Sequence, residues 1–350
     1  MVVLSYPESI DLVSQASDPY EVRIPDTYTS IASNAFQGGN VNLQGILIPG
    51  SIKDIGESAF KGKFNRKSGY YSKPVRFLGE GLESIGPNAF ALTKFEQLDL
   101  PDSLISIDRF AFADSELQTI SLGNNIQTIG QGAFQHSKVN HLTLPNSVTS
   151  IGKSSFLNNN LHTLVLSENL EEIPWGAFQG NGKIQDLKIP ESVKSIGTYA
   201  FYGSGLTGVQ LRLPSKLSSL GKESFAYTNI SSVSIPGSLK SIGEGAFRGT
   251  RLRSIEIEEG VERIEEYAFY ESGAGSLLVI PDSVVSIGEN AFGDIRDLNV
   301  ELHENTAYSG TAFDGGTNIT FRTDRSAPTS IFFTELSFTK MLQLALLSQH

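Results

Sequence analysis

One phrase, LQTISLGNNIQTIGQGAF (Leu117 to Phe134), recurs with small changes along nearly the whole chain, and no other feature of the sequence constrains the fold as much. Each copy ends in an Ala-Phe or Ser-Phe pair, anchored at Phe36, Phe60, Phe90, Phe112, Phe134, Phe156, Phe178, Phe201, Phe225, Phe247, Phe269 and Phe292. Twelve residues before each anchor stands a leucine or isoleucine, as in Leu100, Leu122 and Ile235. Five before it stands isoleucine, replaced once by Leu220. Eight before it is aliphatic again, as in Ile52, Leu82, Val148 and Val284, with Tyr28 the exception in the first copy. These columns keep register while the distance between anchors runs from 22 to 30, so length variation falls after the phenylalanine. Such a pattern specifies coils that cannot bury their apolar residues alone and must stack on one another.

Within a copy, LQTISL alternates near its end, which predicts a short strand with Ile120 and Leu122 turned inward and Thr119 and Ser121 outward. Proline follows in eight copies, among them Pro25, Pro101 and Pro236; lacking an N–H, it stops the ladder and turns the chain. Glycine follows the isoleucine column in eight copies, including Gly56, Gly130 and Gly288, but Pro174 fills the same place once. Because proline fixes φ near about −65°, this column must provide room for a neighbour or ease of turning, not a left-handed backbone. At about 4.8 Å per parallel coil, a dozen coils predict a body roughly 55 to 60 Å long.

Phrases such as LTLPNSVTSIGKSSF, LKIPESVKSIGTYAF and VSIPGSLKSIGEGAF resemble the BspA-like leucine-rich repeats, over roughly Glu21 to Phe313. The resemblance implies a mainly β, curved solenoid of twelve to thirteen coils, used as a binding surface on secreted or surface-attached proteins and linked to adhesion. It brings no catalytic residues with it. Many repeats of that kind carry a cysteine just after Ala-Phe-x-Gly; here the place holds residues such as Gly39, Ser137 and Thr250. The expected organisation is an N-terminal cap over 1–20, the solenoid over 21–322 with an extended loop at 61–76, and a tail over 323–350.

Composition narrows the function. A formal net charge of −11 disfavours nucleic acid and anionic lipid as nonspecific partners. The chain has no cysteine, which removes disulfides, thiolate metal sites and cysteine nucleophiles together. Met1 to Asp11 lacks the basic start and apolar run of a signal peptide. That leaves three possibilities open: another export route, a fragment, or a protein that stays inside. The tail segment IFFTELSFTKMLQLALLSQH is interrupted by Glu335 and Lys340, too short and charged for a membrane span. A capping helix or disordered end is the first reading, and interfacial contact by 331–347 the second.

No motif for chemistry survives its context. GSGLTG (Gly203 to Gly208) has the dinucleotide-binding letters but leads from a loop into a strand, the reverse of what phosphate binding at a helix start requires. The five histidines lack metal-ligand spacing. No catalytic residue, metal or cofactor is therefore expected.

Three surfaces could bind a partner. The outward strand positions form a polar face that includes Thr119, Ser121, His141, Thr143, Thr163, Lys188 and Arg212. A basic insertion carries Arg66 and Lys67 beside Phe64, Tyr70 and Tyr71, suited to an acidic segment or sulfated glycan. Copies eight to eleven place Tyr199, Tyr202, Tyr227, Tyr267 and Tyr270 around the phenylalanine column, where stacked coils would align them on one flank. For each surface the plainer reading is solvated strand, loop or core cover. The expected protein is a monomeric, noncatalytic scaffold for proteins or extended glycans, at the cell surface or outside the cell. An intracellular scaffold is the competing expectation.

Overall fold

The protein is described here by a computed structural model covering residues 2–16, 22–37, 43, 45–64, 75–273 and 277–323. It is a parallel β-solenoid of about thirteen turns. The described coils, all but one, contribute a strand of two to five residues before the proline position, and each adds a two-residue strand at the isoleucine column and a turn carrying the phenylalanine.

All strand pairs are parallel and advance by one coil, so equivalent residues stand side by side. Thr119, for example, lies between Gln97 and His141, and Ile129 lies between Ile107 and Ile151. Proline does not merely stop the strand. Its carbonyl accepts the first bond of the next turn, as in Leu104 N–H to Pro101 O at 3.2 Å and Val148 N–H to Pro145 O at 2.9 Å. The third segment is bonded from coil to coil too: Phe90 donates to Ala111 at 2.7 Å and Phe134 to Ser155 at 2.8 Å.

Thirteen phenylalanines, from Phe36 to Phe313, pile into one column. Successive ring centroids are 4.8 to 5.7 Å apart and nearly parallel, at 3 to 16°. All twelve rings from Phe36 to Phe292 are wholly buried. The alanine or serine before each is buried as well, because a larger side chain there would push the coils apart. Ile120 and Leu122, expected inward, pack on the core but are only partly buried.

The glycines after the isoleucine column lie outside the left-handed region, and their role is close approach. A Cβ on Gly152 would stand 2.3 Å from Gln131 N, and one on Gly130 would stand 2.5 Å from Arg109 N. The approach follows from a bond across the coils, such as Gly152 N–H to Ile129 O at 2.7 Å. Asp108 makes the same bond to Ile85 O at 2.8 Å, so the spacing can open for a side chain. Pro174 cannot donate it. There the seven-stranded ladder ends at Ser150–Ile151, and a new one starts at Glu172–Ile173.

Left-handed residues sit instead two before and two after the anchor. The first column runs Asn34, Ser58, Asn88, Phe110, Gly132, Ser154, Gly176, Tyr199, Glu223, Gly245, Tyr267 and Asn290, with φ between 49 and 59°. The second includes Leu92, His136, Asn158, Gly203, Tyr227 and Gly249. Three residues after the anchor stands a buried polar column. Its members bond phenylalanine carbonyls: Ser137 Oγ to Phe112 O at 2.8 Å, Asn159 Nδ2 to Phe134 O at 2.8 Å, and Thr250 Oγ1 to Phe247 O at 2.8 Å.

At the start, strand Val3–Leu4 pairs with Ser30–Ile31, and helix Tyr6–Gln15 lies against the first coil through a Ser9 hydroxyl bond to Ala35 O. The last described strand, Asn318–Arg322, pairs with Asn299–His303. The tail segment 331–347 lies outside the described residues.

One expectation needs correction. The outward strand face is not one unbroken sheet: on that face no strand forms in the coil between Thr163–Val165 and Gln210–Arg212, where Lys188 stands outside any ladder. Phe64, at the start of the basic insertion, is buried and packs on Phe60 and Phe95 at 6.0 and 5.8 Å.

Candidate functional site

On the strand face, the ladder brings Thr119, Ser121, His141, Thr143 and Thr163 together as exposed neighbours. His141 Nδ1 lies 2.9 Å from Thr163 Oγ1, and its ring is 6.0 Å from that of His162. Lys188 stands apart, where this face has no strand, and pairs with Glu168 at 2.9 Å. Arg212 begins the next group, opposite Ser234. This face is polar, shallow and regular. It suits many modest contacts. Arg66, Lys67, Tyr70 and Tyr71 of the basic insertion lie outside the described residues.

The flank beside the phenylalanine column is more specific. Tyr199 and Tyr267 occupy the left-handed position two before the anchor, Tyr202 and Tyr270 follow the anchor directly, and Tyr227 occupies the left-handed position two after it. Tyr199 meets Tyr202 edge to face at 5.5 Å, and Tyr202 meets Tyr227 at 5.3 Å. Tyr267 and Tyr270 form a second edge-to-face pair at 5.5 Å. Such contacts stabilise each pair by about 0.5 to 1.5 kcal/mol beyond burial.

Two residues not singled out in the sequence complete the arrangement. Trp175 extends it by one coil, edge-on to Tyr199 at 6.1 Å. Arg248 joins the two tyrosine groups: its Cζ lies 5.8 Å from the Tyr227 centroid, 5.7 Å from Tyr267 and 5.1 Å from Tyr270. Arg248 shares the column of Tyr202 and Tyr270, immediately after the anchor, so its position was legible even though its partners were not. Glycines make space for the rings. A Cβ on Gly249 would be 2.7 Å from the Tyr227 ring, and one on Gly293 would be 2.9 Å from Tyr270.

The result is a strip of rings over five coils. Trp175 and Tyr227 are each 42% exposed, and the other tyrosines are half-buried. Burial raises the Tyr202 phenol above its ordinary pKa; Tyr227, Glu223 and Tyr199 add to this, and Arg248 opposes it. The hydroxyl thus stays neutral at physiological pH and can donate or accept. Among the described residues no group of three or more histidine, aspartate or glutamate side chains could hold a metal ion. No described helix is long and apolar enough to cross a membrane.

A family profile described as BspA type leucine rich repeat region (6 copies) matches residues 15–81, 83–207, 173–299 and 218–333. The chain belongs to this family. The repeat columns that carried the resemblance are the ones that build the buried spine. Among solved structures, a leucine-rich repeat protein from Bacteroides ovatus is 22% identical with a TM-score of 0.53, over 88% of this chain and 93% of that one. The pneumococcal vaccine antigen PcpA is 19% identical with a TM-score of 0.50, over 86% and 88% of the two chains. At these identities the likeness concerns the fold. The curated proteins give no match.

Proposed function

We propose that this BspA-type protein is a noncatalytic scaffold that binds proteins or extended glycans, displayed at a cell surface or released outside the cell. The observation that carries the reading is the division of labour between columns. Apolar columns are consumed by the spine, while the intervening positions stand in rows on a backbone that is already ordered. A preorganised row can add weak contacts without the entropic cost of ordering itself. Family membership supports the noncatalytic and surface parts of the reading.

The test is an array of glycans and extracellular-matrix proteins probed with the full chain, followed by replacement of Thr119, His141 and Thr163 together. Saturable binding at micromolar concentration or tighter supports a recognition scaffold, and loss of a hit in the triple variant assigns it to the strand face. An array silent up to about 100 μM, on the scale where binding free energies fall below about 5.5 kcal/mol, refutes it.

A further inference from the structure

We propose that the strip from Trp175 to Tyr270 is a docking site for a carboxylated glycan, with Arg248 receiving the carboxylate; this rests on the binding-scaffold reading and gives it a ligand class. Lys222 pairs with Glu244 at 2.8 Å and Lys240 with Glu262 at 3.1 Å, whereas the exposed Arg251 and Arg253 stand in solvent, so what sets Arg248 apart is its burial among rings. Arg248 has no acid partner among the described residues, in a chain whose net charge is −11. Its Nε is buried without an acceptor, while three tyrosine rings hold the guanidinium in place. Ring contacts satisfy the cation's charge in part, but they leave its terminal N–H groups without acceptors. A planar fork fixed in advance with free donors is the geometry that takes a carboxylate by two parallel bonds.

The neighbouring rings define what carries the carboxylate. Exposed aromatic surface at Trp175 and Tyr227 alternates with phenol hydroxyls, matching a sugar, which presents C–H faces and hydroxyls on one small ring. Three of the tyrosines stand at φ of 56 to 58°, in columns that are left-handed in other coils too and hold asparagine, serine, glutamate or glycine there, so the turn presents whatever side chain it carries outward. Along the strip, successive coils are spaced by 5.1 to 5.7 Å, as the anchor rings record. An extended peptide advances about 3.3 Å per residue and falls out of step with that spacing, whereas a sugar unit is comparable to one coil. Glu223 lies beside Tyr202, which favours a ligand with sparse carboxylates over a densely sulfated one.

The experiment measures binding of the full chain to short oligogalacturonate and to a hyaluronan fragment, with maltohexaose and hexaglutamate as comparisons. Arg248→Met keeps a stem between the rings and removes the charge; Trp175→Ser removes one exposed ring far from it. The expected result is salt-sensitive binding of at least one carboxylated oligosaccharide, weakened about tenfold or more by Arg248→Met and measurably by Trp175→Ser. Unchanged circular dichroism and urea midpoint in both variants would locate the loss in the site. Hexaglutamate binding as tightly, no response to Arg248→Met, or no binding of either carboxylated probe overturns the assignment. If the wider array yields a ligand indifferent to both variants, the scaffold reading stands and this site falls. If that array is silent, both fall.

Discussion

Two hydroxyls in the spine should be removable at a gain. The position before the anchor is alanine in most coils but serine at Ser155 and Ser224, both wholly buried, and neither Oγ has a hydrogen-bond partner. The widest gaps in the ring column occur just after these two coils, 5.6 Å from Phe156 to Phe178 and 5.7 Å from Phe225 to Phe247. An unsatisfied buried hydroxyl costs about 1 to 3 kcal/mol. Removing one oxygen leaves a void smaller than a methyl group, worth only a few tenths of a kcal/mol against it. Ser155→Ala and Ser224→Ala should therefore each stabilise the protein by about 1 kcal/mol or somewhat more. Since the sites are three coils apart, the double variant should gain close to the sum, ~2 kcal/mol. Urea unfolding followed by circular dichroism measures this directly. A loss of about 1 kcal/mol in either variant would show that the hydroxyl has a partner and that the reasoning is wrong.

The spine itself is tested by Phe134→Ala, which empties a rung stacked at 5.0 and 5.2 Å on its two neighbours. The same unfolding assay should show a cost of about 3 to 5 kcal/mol; under about 1 kcal/mol would contradict its burial. Gly152→Ala should cost about 1 to 3 kcal/mol, because its Cβ would meet the backbone at Gln131 and the two coils would have to open, as they do at Asp108, to admit it. Gly310→Ala, with open space around it, should stay within about 0.5 kcal/mol. Acid should loosen the N-terminal helix: Ser5 donates its N–H at 2.8 Å and its hydroxyl at 2.6 Å to the Glu8 carboxylate, which holds that carboxyl below the usual glutamate range. The contribution is present above the unfolded-state pKa and is lost as pH falls through the lower folded value. Amide exchange near Ser5 should accelerate there, and Glu8→Gln should abolish the dependence.

Much of this architecture was legible because the spine is written in a fixed register. Phe, Ala, Ile and Leu recur where the space admits little else, so reading columns amounts to reading burial. The turns were not legible in that way. Their left-handed columns hold asparagine, serine, phenylalanine, tyrosine, glutamate and glycine, since the coil-to-coil bonds on either side dictate φ and the side chain points outward. Glycine was conspicuous in a different column, where its service is to let two backbones approach. The polar column three after the anchor was visible only as a place where cysteine is missing. Its hydrogen bonds to the phenylalanine carbonyls explain why serine, threonine and asparagine all fit.

The aromatic strip shows why a surface is harder to read than a core. Five tyrosines could be assigned to one flank from their offsets to the anchor, but the offsets differ, at two before, one after and two after. Whether such positions touch depends on how far the chain swings between them, and that swing is set by the left-handed turns the sequence does not advertise. Tyr202 on one coil reaches Tyr227 on the next only because the turn at Tyr227 brings its ring back over Gly249. Arg248 could then fall among three rings from two coils without any local pattern marking it. A buried column repeats because every coil faces the same constraint, whereas a recognition surface departs from the repeat where something other than stacking selects the residue. Among the described residues the aromatic strip around Arg248 departs from the repeat in this way, and for that reason it is the surface proposed above for recognition.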